Sequence, residues 1–557
     1  MQWKSLGYKP AAFACNTQFS VKNTTIKPEK TWPTAWWILG LAVFALTLAI
    51  RIRLLPIPLE RDEGEYAYAG QLMLQGIPPY KLAYNMKFPG TYAAYALIMA
   101  IFGQTITGIH IGLLLVNAAT VVLIFFLGRR LVNSTVGIAA AASYAVLSVS
   151  PSVLGSAGHA THFVVLPVLG GVLLLLNQSD RQAFERLFAS GLLFGLGLLM
   201  KQPAFFFALF GALYLFLKDT RAELHFKKIL LRTLAFGTGV ILPFGITCLV
   251  LWSTGVFKSF WFWTIDYARQ YGSLVPLALA PQIFVHNIKE VIGASWGLWV
   301  LAGIGLVTGL WMKRTRASTG FLLGLLVFST LTLCPGFYFR QHYFILVLPA
   351  VLLLAGVAVS NLSDQLSGHA TAVRLLVFLL FGAALSLPLF SEEKFFFRAS
   401  PDKACRLIYG ENPFPESVRI AEYVREHTKP NDTIAVLGSE PQIYFYAKRH
   451  SATGYIYTYG LMEPQKYAHQ MQSEMIREIE SARPKYVVFV SFGASWLWRP
   501  GSERTILDWF SRYAAQNLTG VALINIVSPD RTDYHLPYAS EPVQLSPNHI
   551  LIYERTL

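Results

Sequence analysis

Charge is scarce in this chain: Asp, Glu, Lys and Arg make up 14% of 557 residues, against roughly 25% in soluble proteins. Acidic residues are the scarcer sign, 31 against 46 basic ones, for a net charge of +15. Cysteine is scarcer still, with only Cys15, Cys248, Cys334 and Cys405. Only Cys405 falls in the polar C-terminal part, which excludes a disulfide scaffold there. Cys248 and Cys334 read as buried, inert thiols. What the chain has in excess is apolar surface. Hydrophobic residues reach 54%, Phe, Tyr and Trp number 39, 26 and 13, and the mean hydropathy is +0.45. Such a chain cannot hide its apolar surface in water, so it reads as an integral membrane protein. Disordered and collagen-like classes are excluded by the same composition.

The positive charge is unevenly placed. Residues 391–557 carry 18 Lys and Arg against 19 Asp and Glu, while residues 1–390 carry 28 against 12. The excess sits in the hydrophobic part, where basic loops hold helices on the cytoplasmic side, so it is no nucleic-acid footprint. Residues 1–33 are polar and lysine-containing, and read as a cytoplasmic tail rather than a leader. Apolar runs follow near 34–55, 107–127, 133–150, 162–177, 187–200, 203–217, 234–252, 294–312, 318–334, 342–360 and 374–390. Several fall short of the roughly 20 residues that cross the hydrocarbon, so a count of about 11 to 13 transmembrane helices is expected. A further run at 89–103 decides the topology. If it spans, Arg129-Arg130 lies outside. If it lies along the interface, Arg129-Arg130, Arg181/Arg186, the bases of 218–232 and Lys313/Arg314/Arg316 all become cytoplasmic. The second arrangement is adopted. It makes 34–390 a transmembrane domain with a first outer loop at 56–106, and puts 391–557 on the extracytoplasmic side of the plasma (inner) membrane.

Within 391–557, helical patterns (ESVRIAEYVREH, EPQKYAHQMQSEMIREIESAR, ERTILDWFSRY) alternate with strand patterns (DTIAVLG, KYVVFVS, HILIYERT). This order predicts a small α/β domain with a largely parallel sheet. No glycine-rich phosphate loop follows its strands, so no nucleotide is assigned to it.

With this topology the outer loops of 1–390 hold six acids: Glu60, Asp62, Glu63, Glu65, Asp266 and Glu290. Four lie within LERDEGEYAYAG, directly after Arg51 and Arg53. Clustered carboxylates repel one another, and ionisable groups at a membrane face mark sites more often than structure. A solvated, charge-balanced loop is the alternative. Lys81 and Lys87 follow in KLAYNMKFPGTY. A carboxylate beside a cation stays ionised and can take a proton from a hydroxyl within reach, while a lysine can hold a phosphate. These parts suit a hydroxyl attacking a carbon whose leaving group is a phosphate. The alternative for Lys87 is a plain surface or snorkelling lysine.

The loop also carries Asp-Glu-x-x-Tyr-Ala at Asp62–Ala67, with Tyr66 in the motif, then x-Lys-x-Pro-x-x-Tyr at Met86–Tyr92, before Phe102-Gly103. Behind a first span bearing Arg, this resembles the first outer loop of the glycosyltransferase fold C superfamily, which includes bacterial aminoarabinose transferases and protein O-mannosyltransferases. The resemblance covers about 61–103; elsewhere the agreement is in architecture. It implies transfer of a sugar from a polyprenyl-phosphate donor, usually with inversion. It implies Asp62 as base, Glu63 as the acidic neighbour that supports it or helps hold a metal, and Lys87 on the lipid phosphate. Relatives can carry a metal-binding acid before that lysine; here Met86 stands there. No cofactor is therefore assigned with certainty, and a divalent metal remains open.

Other residues could join the site. His159 and His162, spaced i, i+3, could share a helical face toward a metal or phosphate, or be packing histidines. Lys201 follows an apolar run and could meet a phosphate or snorkel. FYFRQHYF brings Arg340, His342 and Tyr343 together, where Arg340 could clamp phosphate and Tyr343 could stack on substrate. The aromatic stretch WFWTIDYARQYGSL could close over a lipid donor or form an interfacial belt. The expected activity is that of a membrane glycosyltransferase, a monomer, using a polyprenyl-phosphate sugar and a glycan, lipid or protein acceptor, with no nucleic acid. A polytopic transporter or flippase is the main alternative, and would show internal repeats and mid-membrane charge.

Overall fold

The computed structural model describes residues 34–176, 183–366, 371–538 and 543–556. The N-terminal tail of 1–33 lies outside the described residues. Each of the eleven apolar runs coincides with a helix. In order these are α1 (Thr34–Arg53), α4 (Ile106–Leu131), α5 (Ser134–Leu147), α6 (Ala160–Leu176), α7 (Ala183–Met200), α8 (Phe205–Arg221) and α9 (Phe226–Ser253), then Trp296–Trp311, Arg316–Leu331, Leu348–Gln365 and Thr371–Ser391. Two more, α2 (Arg61–Leu74) and α3 (Gly90–Phe102), belong to the loop after α1. Among the described residues, five helices are long and apolar enough by themselves to cross a membrane, or six with the bent pair Leu277–Gly293 and Trp296–Trp311. The chain is thus a multi-pass membrane protein. The 13 residues of α3 extend about 20 Å, short of the roughly 30 Å of hydrocarbon.

Burial explains the short helices. Every residue of α5 is buried, and so are residues 348–361. A helix apolar on all sides belongs in the core of a bundle, where its length is set by its neighbours. Cys248, Cys334 and Cys405 are free thiols; Cys405 is buried, whereas Cys248 and Cys334, expected to be buried, are only partly so.

Six strands form one sheet in the order β2-β1-β3-β6-β4-β5: β1 (Thr433–Leu437), β2 (His450–Ser451), β3 (Tyr486–Ser491), β4 (Leu518–Ser528), β5 (Arg531–His535) and β6 (His549–Arg555). The expected helices and strands are present, but the sheet is mixed rather than largely parallel. β1 pairs parallel with β2 and β3, whereas β6 runs antiparallel to β3 and β4, and β4 antiparallel to β5. The physical reason is a hairpin hidden in the sequence. Pro529-Asp530 turns β4 directly back into β5, and a two-residue turn permits only antiparallel pairing.

The sheet domain does not hang free. Leu59 N–H donates to Tyr446 Oη at 2.9 Å, Ser451 N–H to Tyr68 Oη at 2.8 Å, and Tyr84 N–H to the Gly454 carbonyl at 2.7 Å. Arg61 pairs with Glu440 at 2.7 Å, both buried. One apolar core runs from Tyr66, Tyr68 and Tyr92 to Ile434, Tyr444 and Ile552.

Candidate active site

The first turn of α2 sets out the acids. Glu60 is its N-cap: Glu63 N–H donates to Glu60 Oε1 at 2.9 Å, and Glu60 N–H donates to Glu63 Oε2 at 3.4 Å. This reciprocal box, with Asp62 as a further acid in the first turn, suits the positive end of a helix dipole. Asp62 and Glu63 are adjacent and so diverge. Glu63 turns inward, where Gly158 N–H donates to its Oε1 at 2.5 Å and His110 Nε2 lies 3.1 Å away. It ties α2 to the segment just before α6 and is not among the residues that line the cavity. Asp62 faces the cavity.

Lys87 reaches Asp62 from the loop after α2. Its Nζ donates to Asp62 Oδ1 at 2.8 Å and to Glu65 Oε2 at 2.6 Å, and lies 4.6 Å from the centre of the Tyr66 ring. Tyr92 Oη donates to Glu65 Oε1 at 2.5 Å, and Tyr80 Oη to the Lys87 carbonyl at 2.7 Å. Burial alone would raise the Asp62 carboxyl, but Lys87, then His159 and Arg340, hold it well below the usual carboxylate range. Glu60 goes the other way: burial, with Asp62 and Glu63 adding, pushes it well up.

His159 and His342 stack behind Asp62, with ring centres 4.0 Å apart and planes 11° from parallel. His159 Nδ1 lies 3.8 Å from Asp62 Oδ2 and 3.6 Å from Glu60 Oε1. Burial lowers His159 to about 4 and His342 well below its ordinary value, so both rings are neutral near pH 7. Neither nitrogen of His159, nor Nδ1 of His342, has a hydrogen-bond partner among the described residues. Ligand atoms of Asp62, His159 and His342 lie within 4.8 Å of one another. An ionised carboxylate with two neutral imidazoles and orphaned buried nitrogens is a donor set that fits a divalent cation. His162 lies outside the group, buried, and neither of its nitrogens makes a hydrogen bond of normal geometry among the described residues.

Asp62, Lys87 and His342 border a cavity of about 600 Å³. Asp62, Lys87, Lys201, Arg340 and Tyr343 line its polar side, with Tyr66 below Lys87, while Phe88, Leu198, Phe244 and Trp263 line an apolar side. The Lys201 Nζ sits 3.7 Å above the Tyr343 ring, and burial lowers it to about 7. Lys201 and Arg340 make no ion pair with a carboxylate among the described residues, so these cations, unlike Lys87, are uncommitted.

The structure therefore gathers Asp62, Lys87, Lys201, Arg340, Tyr66 and Tyr343 around one space, places His159 directly behind Asp62, and keeps Glu63 and His162 out of the wall. Three participants were not singled out from the sequence. Glu65 was in the acid cluster without a role. Tyr457 and Tyr459 line the cavity from the sheet domain; the alternating tyrosines of GYIYTYG are the signal that could have found them.

Residues 87–252 match the family described as dolichyl-phosphate-mannose-protein mannosyltransferase, less than half of the chain. No curated protein sequence matches significantly. Among solved structures, ArnT from Cupriavidus metallidurans bound to undecaprenyl phosphate aligns with a TM-score of 0.59 at 13% identity, covering 94% of this chain and 98% of that one. The archaeal oligosaccharyltransferase AglB from Archaeoglobus fulgidus, in complex with an inhibitory peptide and a dolichol-phosphate, aligns at 0.52 with 14% identity, covering 92% and 76%. The apo state of the same ArnT aligns at 0.57 with 15% identity, covering 93% and 98%. These alignments cover more than nine tenths of this chain, which shares its fold with the ArnT and AglB structures.

Proposed function

We propose that this protein is a membrane glycosyltransferase that moves a sugar from a polyprenyl-phosphate donor to an acceptor hydroxyl on the extracytoplasmic side, with inversion at the anomeric carbon. One observation carries the reading: an ionised carboxylate, Asp62, and two uncommitted cations, Lys201 and Arg340, share one cavity with an apolar side. The neighbouring structures hold undecaprenyl phosphate and dolichol-phosphate, ligands of the class this cavity suits.

In this reading the donor's phosphate lies against Lys201 and Arg340, with the remaining N–H of Lys87 toward it, and its prenyl chain along Phe88, Leu198 and Phe244. The acceptor hydroxyl hydrogen-bonds to Asp62. Its oxygen attacks the anomeric carbon on the face opposite the phosphate, and the new C–O bond forms as the bond to phosphate oxygen breaks. The electron pair leaves with the phosphate, where the cations stabilise it, and the hydroxyl proton passes to Asp62. A divalent metal, if bound by Asp62, His159 and His342, would supply a fixed positive charge beside the reacting groups. Glu63 supports α2 from behind. The protein acts as a monomer, with the tail in the cytoplasm and the sheet domain outside; the acceptor hydroxyl belongs to a glycan, lipid or protein.

The test is incubation of the purified protein with labelled prenyl-phosphate sugars and a panel of acceptors, with and without chelator. Release of one prenyl phosphate per sugar transferred is expected, with activity lost to chelator and restored by a divalent ion. No release from any donor would favour a transporter; release unaffected by chelator would remove the metal alone.

A further inference from the structure

Taking Asp62 as the base of the transfer proposed above, we infer that Tyr457 of the sheet domain is a positioning residue of the active site, fixing the Asp62 carboxylate by one oxygen so that the other is left for the acceptor. Tyr457 Oη donates to Asp62 Oδ1 at 3.2 Å, the same oxygen that receives Lys87 Nζ at 2.8 Å. Lys87 Nζ also lies 5.6 Å from the centre of the Tyr457 ring. Two donors on one oxygen set the rotation of the carboxylate. Oδ2 receives neither and points toward His159 at 3.8 Å. A carboxylate offers about four lone-pair directions, so Oδ2 keeps two: one on the His159 side, where a divalent cation would sit, and one for an incoming hydroxyl.

Tyr457 can act this way because its loop is held on both sides. Gly454 N–H donates to Glu478 Oε2 at 3.0 Å before it, and Thr458 N–H to Ser439 Oγ at 3.0 Å after it. Tyr459 Oη accepts from Arg61 Nη1 at 2.9 Å and donates to the Ala494 carbonyl at 2.8 Å. Arg61 is the residue before Asp62 and is itself paired with Glu440 of the sheet domain. The base and the phenol that orients it are thus fixed to one frame. The sheet domain completes the catalytic site rather than merely covering it.

The Tyr457→Phe variant removes one hydroxyl and keeps the ring. Loss of a hydrogen bond to a charged group should lower kcat by about tenfold or more, with the donor KM within about twofold of wild type. Prenyl phosphate binding, followed separately, should be unchanged and reports that the variant is folded. An unchanged kcat overturns the inference, as does a raised donor KM with intact kcat or a loss of prenyl phosphate binding, since each gives the hydroxyl another role. A wild-type protein that transfers no sugar from any donor overturns the transferase reading and this inference with it. An active wild type beside an unaffected variant overturns this inference alone.

Discussion

Asp62 and Lys201 are tuned in opposite senses by the same cavity. Lys87 keeps Asp62 ionised, which readies it to accept a proton but makes it a weak base. A hydroxyl gives up its proton to so acidic a carboxylate only as its oxygen bonds to carbon, so deprotonation and bond formation belong to one step. Lys201, lowered to about 7 by burial, is charged below that pH and neutral above it. Between about pH 7.5 and pH 9 a phosphate monoester, with its second pKa near 6, is already fully charged. Over that range affinity for prenyl phosphate should fall as pH rises, and Lys201→Gln should bind more weakly at the lower pH and flatten the profile. Titration of binding by intrinsic tryptophan fluorescence would show it; an affinity that rises or stays level in the wild type would refute a phosphate role for Lys201. Asp62, Lys87, Lys201 and Arg340 could be picked out in the sequence because charges in so apolar a chain need a reason. Tyr457 stands in the alternating tyrosines of GYIYTYG, but that pattern does not say what it touches, because its partner stands 395 positions away.

At the level of elements, α2 holds the arrangement together and Gly64 lets it dock. A Cβ on Gly64 would lie 2.6 Å from the Gln442 backbone nitrogen and 2.9 Å from its Cα. Backbone gives way less readily than a side-chain tip. Alanine gains about 1 kcal/mol over glycine in a helix, whereas overpacking a tight contact costs typically 1–3 kcal/mol. Gly64→Ala should therefore lower the thermal midpoint and, by parting Asp62 from Tyr457, lower turnover more than donor binding. A midpoint at or above that of the wild type would contradict the docking described. The apolar runs made all eleven helices readable because burial in lipid or core demands continuous hydrophobicity. The sheet was misjudged because β4 and β5, joined by only Pro529-Asp530, lack the intervening helix that marks a parallel crossover.

For the molecule as a whole, the membrane helices and the sheet domain are two walls of one chamber. Phe88, Leu198 and Phe244 of the membrane domain and Tyr457 and Tyr459 of the sheet domain line the same cavity. In the proposed reaction a prenyl chain would confine the donor to the bilayer, and the acceptor would have to be brought to it. The architecture follows from sequence patterning; the closure of the sheet domain over Asp62 does not, because it depends on contacts such as Arg61–Glu440 between distant parts of the chain. The most direct measurement is prenyl phosphate release by purified wild-type protein and Asp62→Asn side by side, with prenyl phosphate binding as the check on folding. The variant should bind prenyl phosphate like the wild type and release it from a sugar donor about 10²–10⁴-fold more slowly. Release at the wild-type rate by a folded Asp62→Asn protein would contradict the account.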